Sequence, residues 1–195
     1  MSLRNSYTTA DYLEWDTMLS LIRKLFNDGD YRFSLLIGCG CFFGLRISDL
    51  RTLTWDMLLD QDCFMLKEKK TGKRRIIKIN RGFQKHIRDC YDALSITDRN
   101  QPCFLSKKGG IYSIQRINVR LKEIKYRYGL RIKNFSTHSL RKTLGRKVVE
   151  SAGKDAEMAL IRLSEMFNHS SVQVTRRYLG IKQQELADVY DALDF

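Results

Sequence analysis

The chain has 195 residues, enough for one domain with a real core or for two very small ones. Hydrophobic residues at 43% and charged residues at 29% exclude a low-complexity or fibrous chain, and a net charge of +13 selects a polyanion, nucleic acid first, as partner. The most apolar run, residues 35–45, is about half of what a bilayer needs and is closed by Arg46, which excludes a membrane span and predicts a buried helix.

In chain order, Thr9 reads as the N-cap of a first helix, with Tyr12, Leu13, Met18, Leu19, Ile22 and Phe26 as its apolar stripe. A second helix is predicted over 31–43, stopping at Gly44, and Ser48 or Asp49 caps a short helix carrying Leu50 and Leu53. Residues 63–69 and 74–80 flank Thr71-Gly72-Lys73 as a hairpin, with Ile77 and Ile79 on one strand face. Helices follow near 81–95, 114–128, 139–152, 156–167, 171–179 and 182–193. In the second of these helices, residues 114–128, Ile117, Leu121, Ile124 and Tyr128 form one apolar stripe on an otherwise basic surface. The fold class is mainly α with one small antiparallel β-sheet (α+β), read as a single domain over 1–195 because no repeat, low-complexity stretch or Pro-rich linker interrupts it.

Five cysteines (Cys39, Cys41, Cys63, Cys90, Cys103) form no C-x-x-C pair, so reduced thiols in a cytoplasmic protein are expected rather than a disulfide framework or a zinc site. The start, Met1-Ser2-Leu3-Arg4, lacks a signal-peptide pattern and reads as a scar ahead of an excised piece. The last fifteen residues are net acidic, with Glu185, Asp188, Asp191 and Asp194 against Lys182, so the positive charge is concentrated before them.

Three local patterns carry chemistry. Gly44-Leu45-Arg46-Ile47-Ser48-Asp49-Leu50 puts an arginine between two helices with a carboxylate three residues on, close enough on a helix to orient it. Thr137-His138-Ser139-Leu140-Arg141 spaces a histidine and an arginine by three near a helix start, where free N–H groups favour an anion. Phe167-Asn168-His169-Ser170-Ser171 is followed nine residues after its histidine by Tyr178. Taken singly, each is more often a surface ion pair, a satisfied histidine or one ordinary tyrosine among nine. Phosphodiester transfer, however, needs a nucleophile, cations on the non-bridging oxygens and an acid for the leaving hydroxyl, and arginine suits the oxygens because its planar fork binds them bidentately.

In this order the patterns resemble the tyrosine recombinase (phage integrase) family, over essentially the whole chain from Thr9 onward. G-L-R-I-S-D-L resembles the family's first-arginine motif, Lys70 its hairpin lysine, T-H-S-L-R its H-x-x-R motif, F-N-H-S-S its third histidine box and R-R-Y-L-G its nucleophile segment. The resemblance implies the family's catalytic-domain fold, and an enzyme that cleaves and rejoins DNA with no cofactor and no metal. It implies that Tyr178 attacks the scissile phosphate, that Arg46, Arg141 and His169 hold the non-bridging oxygens, and that Lys70 is the general acid, with Lys69 and Lys73 as register alternatives. By the same resemblance His138 assists proton transfer and Asp49 steadies the arginines and histidines. Asn168 departs from the glycine that many relatives carry before the third histidine.

DNA-backbone contacts are expected from Lys73, Arg74, Arg75, Arg116, Arg120 and Arg127, and from residues 131–133. Further expectations are a monomer when free, a homotetramer on paired sites through the segment after Tyr178, accessory DNA-bending proteins, and a nucleoid location in the cytoplasm. The family's N-terminal core-binding domain is missing from the chain, which predicts a piece of a longer enzyme from a mobile element, the alternative being one of the family's short members, such as the inversion enzymes that switch fimbrial promoters. The alternatives are a type IB topoisomerase, which usually has a basic residue where His138 stands; a catalytically silent DNA-binding regulator; and a basic RNA-associated protein.

Overall fold

The computed structural model describes residues 10–181, so the expected cap at Thr9, the 182–193 helix and the acidic tail lie outside the described residues. The chain divides into two compact units, one reaching to Thr143 and one beginning at Leu144.

The first unit opens with α1 (Trp15–Asn27) and α2 (Tyr31–Phe43). Helix α1 starts later than the apolar stripe suggested. Asp11 N–H is taken by Asn134 O at 3.2 Å and Leu13 N–H by Thr143 Oγ1 at 3.0 Å, so tertiary partners, not a helix, satisfy this backbone. Helix α2 matches its expected bounds and is buried from Phe33 to Cys41. Two glycines let neighbours close on it. A Cβ at Gly38 would lie 2.5 Å from Phe83 Cε2, and one at Gly40 would lie 2.7 Å from Leu140 Cδ1. Phe83 belongs to α5 (Arg81–Ala93) and Leu140 to α7 (Thr137–Ala152), so Gly40 brings the start of α7 against the end of α2.

After the left-handed C-cap Gly44 (φ 57°), α3 (Ile47–Leu50) begins with Arg46 itself in the N-cap position, not Ser48 or Asp49. Asp49 is only 1% exposed, and its carboxylate is drawn to the hairpin, where Oδ1 accepts from Lys69 N–H at 3.0 Å. A further one-turn helix, α4 (Trp55–Leu58), is too short to show a period in the sequence. Strands β1 (Cys63–Lys67) and β2 (Arg74–Lys78) pair antiparallel with Cys63 opposite Lys78 and Lys67 opposite Arg74. Phe64, Ile77 and Ile79 face inward while Met65 and Ile76 face out, the alternation a half-buried hairpin requires. Asn80 caps α5 through Gly82 and Phe83 N–H. Ser113 caps α6 (Ile114–Arg127), which buries Ile117, Leu121 and Ile124 as the stripe predicted. Helix α7 starts two residues earlier than expected because Ser139 Oγ accepts from Ser136 N–H and donates to Asn134 O, both at 3.0 Å, closing its first turn.

In the second unit a single 3-10 turn (Gly153–Asp155) leads into α8 (Ala156–Phe167) and α9 (Val172–Leu179). A Cβ at Gly145 of α7 would stand 2.5 Å from Leu179 Cδ2 and 3.3 Å from Phe167 Cε2, so the bare backbone there is what α9 rests on. Arg176 Nη1 also donates to Glu157 Oε1 at 2.8 Å, pinning α9 to α8.

Candidate active site

The end of α2 organises the first unit's cations. The last carbonyls of a helix lack partners and carry the negative end of its dipole, so they attract guanidinium groups. Arg75 Nη2 donates to Phe43 O at 3.0 Å, and Arg141 Nη1, on a residue 5% exposed, donates to Gly44 O at 2.7 Å. Arg46 follows two residues later. Its side chain is 20% exposed, and Nη1 donates to Glu68 Oε2 at 2.9 Å. Three arginines thus gather around one helix end and two buried carboxylates, Asp49 and Glu68.

Glu68, 3% exposed, is the first residue of the hairpin turn. Besides Arg46, its Oε2 accepts from Thr71 Oγ1 at 2.9 Å, and Oε1 stands 3.8 Å from Arg75 Nη1, an ion pair without a hydrogen bond. Desolvation lowers the Arg75 pKa; Glu68 opposes this, Arg46 adds to it and Asp49 opposes it. Glu68 N–H donates to Lys73 O and Gly72 N–H to Glu68 O, at 2.9 and 2.8 Å, with Gly72 in the left-handed region (φ 68°) that lets the turn close. Lys70 sits exposed in this pinned turn. Asp49 Oδ2 is buried with no hydrogen-bond donor among the described residues.

His138 lies in the first turn of α7. Desolvation, then Arg141 and then Lys142 lower its pKa, which favours the neutral imidazole. Lys142 is itself buried and donates to Ala10 O at 2.7 Å.

The second unit holds the other pair. Helix α8 ends on Asn168 at φ 50°, ψ 51°, with Asn168 N–H donating to Glu165 O and His169 N–H to Ser164 O, both at 2.9 Å. Asparagine is among the few residues besides glycine that tolerate this conformation, so it occupies the place of the expected glycine with the loop closed. His169 Nδ1 lies 3.0 Å from Thr175 Oγ1. The His169 and Tyr178 rings meet edge to face at 5.3 Å, and both meet Phe167, at 5.5 and 6.0 Å. Tyr178 is half-buried on α9, whose N-cap is Ser171.

Of the residues the sequence selected, five fall in the first unit: Arg141 and Arg46 at the α2 end, Asp49 tied to the hairpin turn that carries Lys70, and His138 beside Arg141 in α7. His169 and Tyr178 fall together in the second. Of the expected DNA contacts, Lys73, Arg74 and Arg116 are exposed, and Arg75 turns inward. Besides Arg75, which pairs with Glu68, three of these arginines have acidic partners. Arg116 lies 3.4 Å from Glu123; Arg120 pairs with Asp30 at 2.7 Å and Glu123 at 2.9 Å; Arg127 pairs with Asp28 at 2.8 Å. The sequence reading missed Glu68 and Thr175. Glu68 had a usable signal: counting by two from Phe64 and Leu66 puts it on the inward strand face, where a carboxylate needs a partner.

The sequence model of the Phage integrase family matches residues 13–185. Tyrosine recombinase XerC of Xylella fastidiosa (strain M23) is 31% identical over 150 residues, 76% of this chain and 48% of that protein. The chain therefore spans about half the length of the curated relatives it matches. Among solved structures, XerA recombinase is similar at a TM-score of 0.70 with 19% identity, over 97% of this chain and 68% of the other. XerH site-specific recombinase, bound to palindromic difH substrate after cleavage, is similar at 0.66 with 19% identity, over 97% and 56%. At that identity the likeness is one of fold.

Proposed function

The chain belongs to the phage integrase family and has the fold of its recombinases; from that premise we propose that it is the catalytic part of a site-specific DNA recombinase working through a phosphotyrosine on Tyr178. Tyr178 Oη attacks the scissile phosphorus while the bond to O5′ breaks, leaving a 3′-phosphotyrosine ester and a free 5′ hydroxyl. The phenol proton passes to His138, whose lowered pKa leaves it neutral and able to accept. Lys70 gives its proton to O5′. Arg46, Arg141 and His169 donate to the non-bridging oxygens and stabilise the charge that grows there in the transition state. Rejoining is the reverse: an incoming 5′ hydroxyl attacks phosphorus and the phenol leaves, so bond energy is conserved and no nucleotide is consumed.

The observation that carries this reading is the Tyr178–His169 ring pair, with His169 held from behind by Thr175. Thr175 is fully buried, and its one hydroxyl proton has Nδ1 at 3.0 Å and Ser171 O at 3.5 Å as acceptors; in this reading it goes to the nearer Nδ1, which places the imidazole N–H at Nε2. In the same reading the substrate is double-stranded DNA of a mobile element, met as a monomer and recombined as a tetramer on paired sites with accessory DNA-bending proteins, in the nucleoid of the cytoplasm. Among the described residues no helix is long and apolar enough to cross a membrane.

The test is a pool of nicked duplexes, randomised in sequence, incubated with the protein in EDTA. The expected result is a denaturant-stable protein–DNA adduct that disappears in Tyr178→Phe. No adduct from the unaltered chain, or one that survives the substitution, would overturn the reading.

A further inference from the structure

One buried carboxylate joins two parts of the site that the mechanism uses separately. Glu68 receives Arg46 Nη1 at 2.9 Å and the Thr71 hydroxyl at 2.9 Å, and it sits at the base of the turn that carries Lys70. The turn is tied a second time through Lys69 N–H to Asp49 Oδ1 at 3.0 Å, and Asp49 lies in the short helix that Arg46 starts. A charge only 3% exposed is costly to keep unless it is paired and hydrogen-bonded, and here the partners are Arg46 on one side and Thr71 and Arg75 of the hairpin on the other. Its charge also offsets the repulsion between Arg46 and Arg75, which reach it from two sides at 2.9 and 3.8 Å. A guanidinium carries five donor hydrogens, so this tie orients the fork without exhausting it.

We propose that Glu68 is a positioning residue that sets the Arg46 guanidinium and the Lys70 turn relative to one another, so that phosphate charge and leaving-group proton are served from one fixed geometry. The proposal rests on the roles given to Arg46 and Lys70 above. It makes Glu68 act through both, which separates it from a residue that merely fills space.

The experiment uses the duplex recovered from the selection above in two forms, with oxygen or with sulfur at the 5′ bridging position. A thiolate is a far weaker base than an alkoxide and leaves without a proton donor, so the sulfur form removes the need for Lys70 and leaves the need for Arg46. Glu68→Gln keeps the shape and removes the charge. Loss of an outer partner that orients a reacting group typically costs about 10–100-fold, and adduct formation on the oxygen duplex is expected to fall by that factor. On the sulfur duplex part of the deficit of Glu68→Gln is recovered, whereas that of Arg46→Lys is not. Should Glu68→Gln fail to melt cooperatively, Glu68→Asp, which keeps the charge and shortens its reach, carries the same comparison. An unimpaired variant, or a deficit equal on both duplexes, overturns the proposal while the recombinase reading stands. A wild-type chain that forms no adduct on either duplex overturns both.

Discussion

In the proposed mechanism His138 has to be neutral to take a proton from Tyr178, yet it stands beside Arg141, a cation that the same mechanism gives to the phosphate. The conflict resolves itself, because burial and the neighbouring cations both disfavour imidazolium. Desolvation, then Arg141, then Lys142 lower its pKa from the ordinary imidazole value of about 6.5. A base with a lowered pKa stays unprotonated to lower pH, so adduct formation should hold from neutrality to below about pH 6.5 and fall only at lower pH, with the slope of one proton. His138→Gln should remove that limb and lower the plateau by about 10²–10⁴. Single-turnover rates across pH check this, and a limb that begins above the ordinary value, or persists in the variant, argues against His138 as the base. At this scale the sequence was readable wherever spacing carried the information, as with the three-residue step from His138 to Arg141. It was opaque where a partner comes from far along the chain. Nothing local says that Glu68 meets Arg46 across 22 positions.

Helix α9 carries Tyr178, and its seat depends on a missing side chain. At Gly145 a Cβ would fall 2.5 Å from Leu179 Cδ2 and 3.3 Å from Phe167 Cε2, so Leu179, the neighbour of Tyr178, must shift. Gly145→Ala gains about 1 kcal/mol of helix propensity but meets an overpacking cost of about 1–3 kcal/mol. Stability should therefore change by less than about 2 kcal/mol in denaturant melts, while adduct formation falls at least tenfold as the phenol is displaced. Gly145→Ala combined with Leu179→Ala should recover part of the rate despite the added cavity; a double variant no faster than the single one would place the defect elsewhere. Elements were legible in proportion to their length and their punctuation. Helix α2, ended by Gly44, and α8, ended at Phe167, have the expected bounds, whereas α3 and α4, each one turn long, take their limits from Arg46, Asp49 and Thr54 in the assembled fold. The start of α1 was misread because Leu13 N–H finds Thr143, 130 residues away.

Over the whole chain the net charge of +13 states that a polyanion is expected, but it does not say which arginines meet it. Counting treated Arg74 and Arg120 alike. The structure separates them: Arg74 is exposed on β2, while Arg120 is held between Asp30 at 2.7 Å and Glu123 at 2.9 Å, joining α6 to the start of α2. Glu123 has a lowered pKa, with the Arg120 hydrogen bond as the largest cause, so this carboxylate remains charged opposite it. A cation already neutralised within the protein releases few counterions when DNA arrives, whereas an exposed one displaces them from the phosphates it approaches. Binding of a random-sequence duplex, followed by fluorescence anisotropy between 50 and 200 mM salt, should therefore weaken linearly in log–log form. Arg74→Ala should reduce the magnitude of that slope by about 0.9 with little change in Tm. Arg120→Ala should leave the slope nearly unchanged and lower Tm by about 2–4 °C, the shift expected for about 1 kcal/mol in a chain of this size. If Arg120→Ala instead flattens the salt dependence at constant Tm, its acidic partners give way to DNA and the ion pairs at Asp30 and Glu123 are a resting arrangement rather than a structural one.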